Sequence, residues 1–149
     1  MAQTTNGMWF GDCMVEVSEN GTDYTDISGY AASVQVEGGE RATGKAHTFD
    51  GDTPIVTAGK RDSLRVTVRT IYTEGTGDPF EVVRGCYEDK SDLYVRWSPA
   101  GGTTGDFRYT TAAGVVTNAP YPAGDVNTAD PVAFEFTIET ASITKSAVG

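Results

Sequence analysis

Apolar positions along this chain recur mostly with a period of two. In "SLRVTVRTIYTEG" (63–75), Leu64, Val66 and Val68 point one way while Arg65, Thr67 and Arg69 point the other. That is the pattern of a half-buried strand with one wet face. "PVAFEFTIET" (131–140) repeats it: Val132, Phe134, Phe136 and Ile138 share a face opposite Ala133, Glu135, Thr137 and Glu139. Shorter alternating runs lie at "CMVEV" (13–17), "DYTDI" (23–27) and "YAASVQVEG" (30–38), the last with Val34 and Val36 on one face. Asn-Gly in "ENG" (19–21) between the first two predicts a hairpin. "LYVRWS" (93–98), "DFRYTT" (106–111) and "GVVTN" (114–118) complete the set of expected strands.

The period changes once. "GDPFEVVRGCYEDK" (77–90) offers Asp78 as N-cap, Pro79 at the first helical position and Glu81 two residues further on. Phe80, Val83 and Tyr87 then form a narrow apolar stripe with Cys86 beside it. Gly85 costs this helix about 1 kcal/mol relative to Ala, so packing on a sheet has to hold it. The expected fold is therefore mostly β: an antiparallel β-sandwich or small barrel with one α-helix, about residues 78–89, packed against it.

Three segments escape both periods. Residues 1–8 and 141–149 are polar and read as flexible arms on a single domain spanning 1–149. Residues 37–62 read as one long loop, of which 37–48, "EGGERATGKAHT", is loop or a protruding hairpin. No internal repeat or linker divides the chain.

Composition narrows the function. Acidic side chains outnumber basic ones 21 to 11, for a formal charge of −10, and the cations form no evident cluster. Such a field repels nucleic acid. No apolar run approaches the ~20 residues of a membrane span, and the first residues lack a basic-then-apolar leader pattern. Leu occurs only at 64 and 93, whereas Gly, Thr and Val abound, which favours strands and turns. Cys13 and Cys86 are far apart without CxxC spacing and read as small apolar fillers in a reducing compartment.

The candidate chemistry is thin. Asp50 and Asp52 flank a glycine as in a calcium loop. Counted from Asp50, however, Pro54 and Ile55 stand where an EF-hand needs a ligand and a glycine, and Arg61 where it needs glutamate. The segment reads as a turn. His47, the lone histidine, has no nucleophile partner in a recognisable context. Glu135 and Glu139 lie on the outward face of their strand. Trp97, Phe107, Tyr109 and Tyr121 read as core and contact residues before they read as a stacking platform. No catalytic, cofactor-binding or metal-binding residue is assigned, and no enzyme is expected.

The order of segments does carry a resemblance. "VEGGERATGKAHTFDGDTPIVTAGKRDSLRVTVRTIYTE", "DPFEVVRGCYE", "LYVRWSPAGGTTGDFRYTT" and "DPVAFEFTIETASITKS" resemble the major tail tube protein of long-tailed (siphovirus-type) bacteriophages over roughly residues 8–145. The resemblance implies a non-catalytic virion protein that stacks six-fold rings into a tube for DNA passage. Its fold is similar to the ring protein of type VI secretion tubes, and inner-sheet strands line the channel. Implied partners are further copies of itself, a tape-measure protein and tail terminator or distal tail proteins. DNA passes without specific binding, no membrane is involved, and assembly takes place in the host cytoplasm. Inter-ring contacts in that family come from an early loop and the terminal arms. Here they fall on Glu40, Arg41, Lys45, Asp50, Asp52, Ile55, Val56, Lys60 and Arg61. A loop of that composition buries too little apolar area to offset an ordering cost of ~1–2 kcal/mol per residue, so it is expected to order on assembly. The chain lacks an extra surface domain, a minimal version of the family. A head-decoration or neck protein, or a ligand-binding β-sandwich, are the alternatives.

Overall fold

The computed structural model describes residues 1–149 and holds eleven strands and one α-helix. In chain order they are β1 (Met14–Ser18), β2 (Thr25–Asp26), β3 (Ala31–Gly38), β4 (Arg41–Ala46), β5 (Ile55–Arg61) and β6 (Leu64–Ile71). The helix α1 (Pro79–Asp89) comes next, then β7 (Asp92–Ser98), β8 (Phe107–Thr111), β9 (Gly114–Val116), β10 (Ala133–Thr140) and β11 (Ile143–Ala147). Every strand pairing is antiparallel.

Two layers result. One holds β3, β6, β10 and β9 side by side; the other holds β11, β8, β7, β1 and β2. Strand β7 joins them, pairing with β9 through Asp92 and Leu93 and with β1 along Tyr94 to Ser98. The sheet folds over at this strand without closing into a barrel, which is the sandwich the alternation predicts. Inward residues interleave: Val15, Val17, Val95 and Trp97 from one layer face Val66, Val68, Phe136 and Ile138 from the other, all buried. Fully burying such side chains is worth about 1.5–3 kcal/mol each. Ala133 starts β10 and is buried, whereas Val132, expected to share the buried face, precedes the strand and is exposed.

Helix α1 covers one opening of the sandwich. Val83 and Cys86 are buried, and the Phe80 ring meets Tyr72 and Phe134 edge-on at 4.9 and 5.3 Å. Its start differs from the expected N-cap. Asp78 has N-cap geometry, yet its carboxylate accepts from Thr73 Oγ1, Gly75 N–H and Tyr30 hydroxyl rather than from the helix. Glu81 alone reaches back, accepting from Gly77 N–H at 3.2 Å. Thr73, with those other donors, holds the Asp78 carboxyl below its ordinary value despite some desolvation. The helix ends at Lys90 in the left-handed region (φ 58°), whose N–H is bonded to Cys86 O.

Three expectations change shape. The Asn-Gly turn is wider than a two-residue hairpin: β1 and β2 pair only through Glu16–Asp26 and Val17–Thr25, around a loop organised by Asn20. Its Oδ1 accepts from Thr22 and Asp23 N–H groups, a local competition that replaces the tight turn. The C-terminal arm is a strand. β11 runs along β8 from Ile143–Thr111 to Ala147–Phe107, and the Val148 backbone is bonded to Gly105 and Asp106. As an edge strand with one wet side, "ITKSA" carries almost no apolar alternation to betray it. The third is the long loop, which is β4 and β5.

Candidate functional site

Of residues 37–62, Glu37 and Gly38 end β3 and the rest form a protruding two-stranded ribbon, the hairpin alternative of the sequence reading rather than one long loop. Opposite pairs run from Ala46–Ile55 and Lys45–Val56 near the tip, through Thr43–Ala58, to Arg41–Arg61 at the root. Nothing covers either face: every residue of β4 and β5 is exposed. The ribbon continues the β3–β6 pair, to which it is tied by Gly39 N–H to Ser63 O and Asp62 N–H to Glu40 O. At the junction Gly38 and Gly39 take φ of 82° and 76°, a conformation that glycine adopts without steric cost. A Cβ at Gly38 would stand 2.5 Å from Ser63 O. "EGGE" is thus a bend between two strands, and the glycines that suggested a loop are what allow it.

The candidate contact residues all lie on this ribbon or its tip. Glu40 is at the root beside Arg41 and Arg61; Asp50 and Asp52 are in the tip; Lys60 lies next to Arg61. By register Lys45 and Val56 share one face, and Ala46 and Ile55 the other. Ile55 and Val56 are each more than half exposed. Arg41 and Arg61 stand directly opposite, a like-charge pairing that disfavours the free ribbon and suits an approaching carboxylate. Arg41 spends one donor across the ribbon, Nη1 to Gly59 O at 3.1 Å. Sequence reasoning named Asp50 and Asp52 in the tip but missed Phe49 beside them. Phe49 is wholly exposed, between Thr48, whose hydroxyl donates to Asp50 O, and the Asp50–Gly51 turn. An aromatic inside a polar turn, outside any period, was the available signal. Met8, Trp9 and Phe10 are likewise exposed beside the N-terminal arm.

A second surface is the outer face of β3, β6 and β10. Register sets its side chains in rows: Glu37–Arg65–Glu139, Gln35–Thr67–Thr137 and Ser33–Arg69–Glu135. Each arginine is flanked by acid across the strands. Arg69 reaches Glu135 at 3.6 Å, and Thr67 and Thr137 hydroxyls bond at 2.9 Å. The face is polar and regular; Arg69 is ion-paired, and Arg65 stands by register between Glu37 and Glu139.

Other polar groups serve the fold. A cleft of about 430 Å³ is lined by Glu19, Asp23, Asp26 and Asp78 among others. There Asp26 accepts from Ser28, Asp23 from Asn20 and Asp78 from Thr73. Burial, with Glu19 alongside, pushes the Cys86 thiol up to about 11, and Cys13 is a free thiol as well. The aromatics do not converge: Trp97 stacks on Tyr109 in the core, Phe107 lies under Lys145, and Tyr121 donates to Glu88. Asp50 and Asp52 have no third carboxylate, histidine or cysteine grouped with them.

No family model matches the chain, and no curated protein matches it. Solved structures do. A chain of the sheath–tube complex of an extracellular contractile injection system, in its extended state, superposes with a TM-score of 0.65 at 15% identity. The match covers 97% of this chain and 94% of that one. A chain from the tail of an empty GTA particle, refined helically in C6 symmetry, gives 0.65 at 12% identity over 99% and 100%. The SPP1 tail tube gives 0.61 at 9% identity over 95% and 80%. The fold is thus one shared, nearly end to end, with chains of tail and injection-tube assemblies.

Proposed function

We propose that this protein is a structural tail tube protein of a bacteriophage, stacking homo-hexameric rings into the conduit through which DNA enters the host. The observation that carries the reading is the end-to-end likeness to chains of tube assemblies, one of them refined in C6 symmetry. The molecule's own surfaces agree with it. A ribbon wet on both faces, tipped by Phe49, Ile55 and Val56, gains stability only against another chain. The outer face of β3, β6 and β10 suits a channel wall, because its rows set Glu37, Glu135 and Glu139 beside Arg65 and Arg69, an acidic excess that disfavours phosphate. Its role is mechanical, without catalysis or cofactor. The tape-measure protein is its partner within the lumen, and terminator or distal proteins close the ends of the tube. The protein belongs to the virion tail and assembles in the bacterial cytoplasm.

Sedimentation across a concentration series, with negative-stain images of each fraction, tests this. Small species when dilute and hollow tubes when concentrated are the expected result. Structures related by fold include a sheath/tube terminator and a tube-terminating cap, which gives the second reading: a protein that caps a tube. Single closed rings that never stack would favour that reading. A stable trimer at every concentration would favour a decoration protein.

A further inference from the structure

On the outer face of the other layer, between β1, β7 and β8, lies a cavity of about 140 Å³ whose lining includes Glu16, Arg96, Ser98 and Arg108. A water molecule's share of liquid volume is about 30 Å³, so the space admits a small ionised group with its hydration. The two arginines are in different situations. Arg96 is fully engaged: its guanidinium donates to both oxygens of Glu16, at 2.8 and 3.0 Å, and lies 3.8 Å over the Tyr24 ring. Ser98 is engaged too, its hydroxyl donating to Phe107 O. Arg108, two residues before the Thr110 that pairs with Arg96, points to the same face. It enters no ion pair, and its Nε is buried without a hydrogen-bond partner.

That arrangement is costly as it stands. A guanidinium stays charged at any accessible pH and carries five donors in a fixed fork. Arg108 is only half-buried, so its charge keeps some solvent, but the buried Nε–H forgoes the hydrogen bond that water would give it. The chain holds 21 acidic side chains, and Glu16 at this very site is committed to Arg96. The group that fits is a planar oxyanion offering two acceptors to the fork.

We infer that the Arg108 pocket is a carboxylate-binding site, filled on assembly by an aspartate or glutamate side chain of a second copy of this chain. The inference rests on the self-assembly reading for its source of carboxylate and on the unpartnered Nε of an arginine that enters no ion pair for its chemistry. The acidic excess of every neighbouring copy makes a carboxylate the commonest charged group to approach.

The full-length chain tests it through Arg108→Met and Arg108→Lys, each read by thermal melting when dilute and by the concentration at which tubes appear. Removing the buried, unpartnered Nε donor leaves the dilute melt equal to or above wild type. The Met variant needs about tenfold or more protein to assemble, the worth of one charge-assisted hydrogen bond, and Lys recovers only part of this because it lacks the fork. Sodium acetate, exchanged for chloride at constant ionic strength, raises the wild-type melt and its assembly threshold but neither for the Met variant. A Met variant that melts well below wild type makes Arg108 a structural residue and overturns the site. Acetate stabilisation with unchanged assembly of Arg108→Met means the pocket takes free anions only, and overturns the second copy as its source. A wild-type chain that never assembles sinks the tube reading separately, and an acetate-insensitive melt then overturns the pocket itself.

Discussion

The sandwich and the β4–β5 ribbon are both antiparallel β-structure, yet they obey opposite rules. In the sandwich, Val66, Val68, Phe136 and Ile138 are fully buried, and their strand neighbours are polar. In the ribbon no residue of either strand is covered, and its largest apolar side chains, Phe49, Ile55 and Val56, stand in solvent. A strand's pattern records what it packs against. The sandwich strands record a partner within the chain; the ribbon records none there, which is why we propose one outside it.

Excising the ribbon breaks the comparison most strongly. Gly39 N–H and Ser63 O are 3.0 Å apart, so a two-residue turn can replace residues 40–62. The shortened chain is expected to melt cooperatively near the wild-type temperature and to form no tubes at any concentration, as read by calorimetry and electron microscopy. A chain that unfolds on excision would show that the ribbon belongs to the fold.

Phe136→Ala is the converse. It empties a fully buried site between the layers and costs about 3–5 kcal/mol, measured by urea unfolding. Assembly fails in this variant because the body fails. Phe49→Ala takes the middle ground: the melt is unchanged, while losing one buried aromatic anchor, about 1.5–3 kcal/mol, raises the assembly threshold roughly ten- to a hundredfold. An unaltered threshold would remove Phe49 from the contact.

The smallest effect sharpens the body alone. Asp78 is depressed below its ordinary value in the folded chain, first by Thr73. Its contribution is therefore present above the unfolded carboxylate value and is lost as pH falls through the folded one. Asp78→Asn is expected to flatten the acid limb of the stability profile in a pH series of melts and to leave neutral-pH assembly alone. An unchanged acid limb would contradict the assignment.

This contrast also explains what was legible. The two-layer fold follows from Leu64–Val66–Val68 and Phe134–Phe136–Ile138 because one face of each strand is dry. The helix follows from Asp-Pro and the Phe80–Val83–Tyr87 stripe. β4 was legible only as one of two alternatives, loop or protruding hairpin, and β5 and β11 not at all, since a ribbon wet on both faces or a wet edge leaves no alternation to read. Gly38 and Gly39 looked like loop residues because a bend and a loop ask for the same backbone freedom. The proposed contact residues of the ribbon were visible as charges of both signs without a core. Arg108 was not, because its significance lies in Glu16 being taken by Arg96, a pairing across 80 residues of sequence.

The most direct test of the account is a cryo-electron-microscopy reconstruction of tubes grown from the wild-type chain. The account predicts six-fold rings in which β4 and β5 lie against a neighbouring copy, with Phe49 enclosed and the outer face of β3, β6 and β10 toward the lumen. Tubes in which the ribbon projects freely into solvent, with subunits joined by other surfaces, would contradict it.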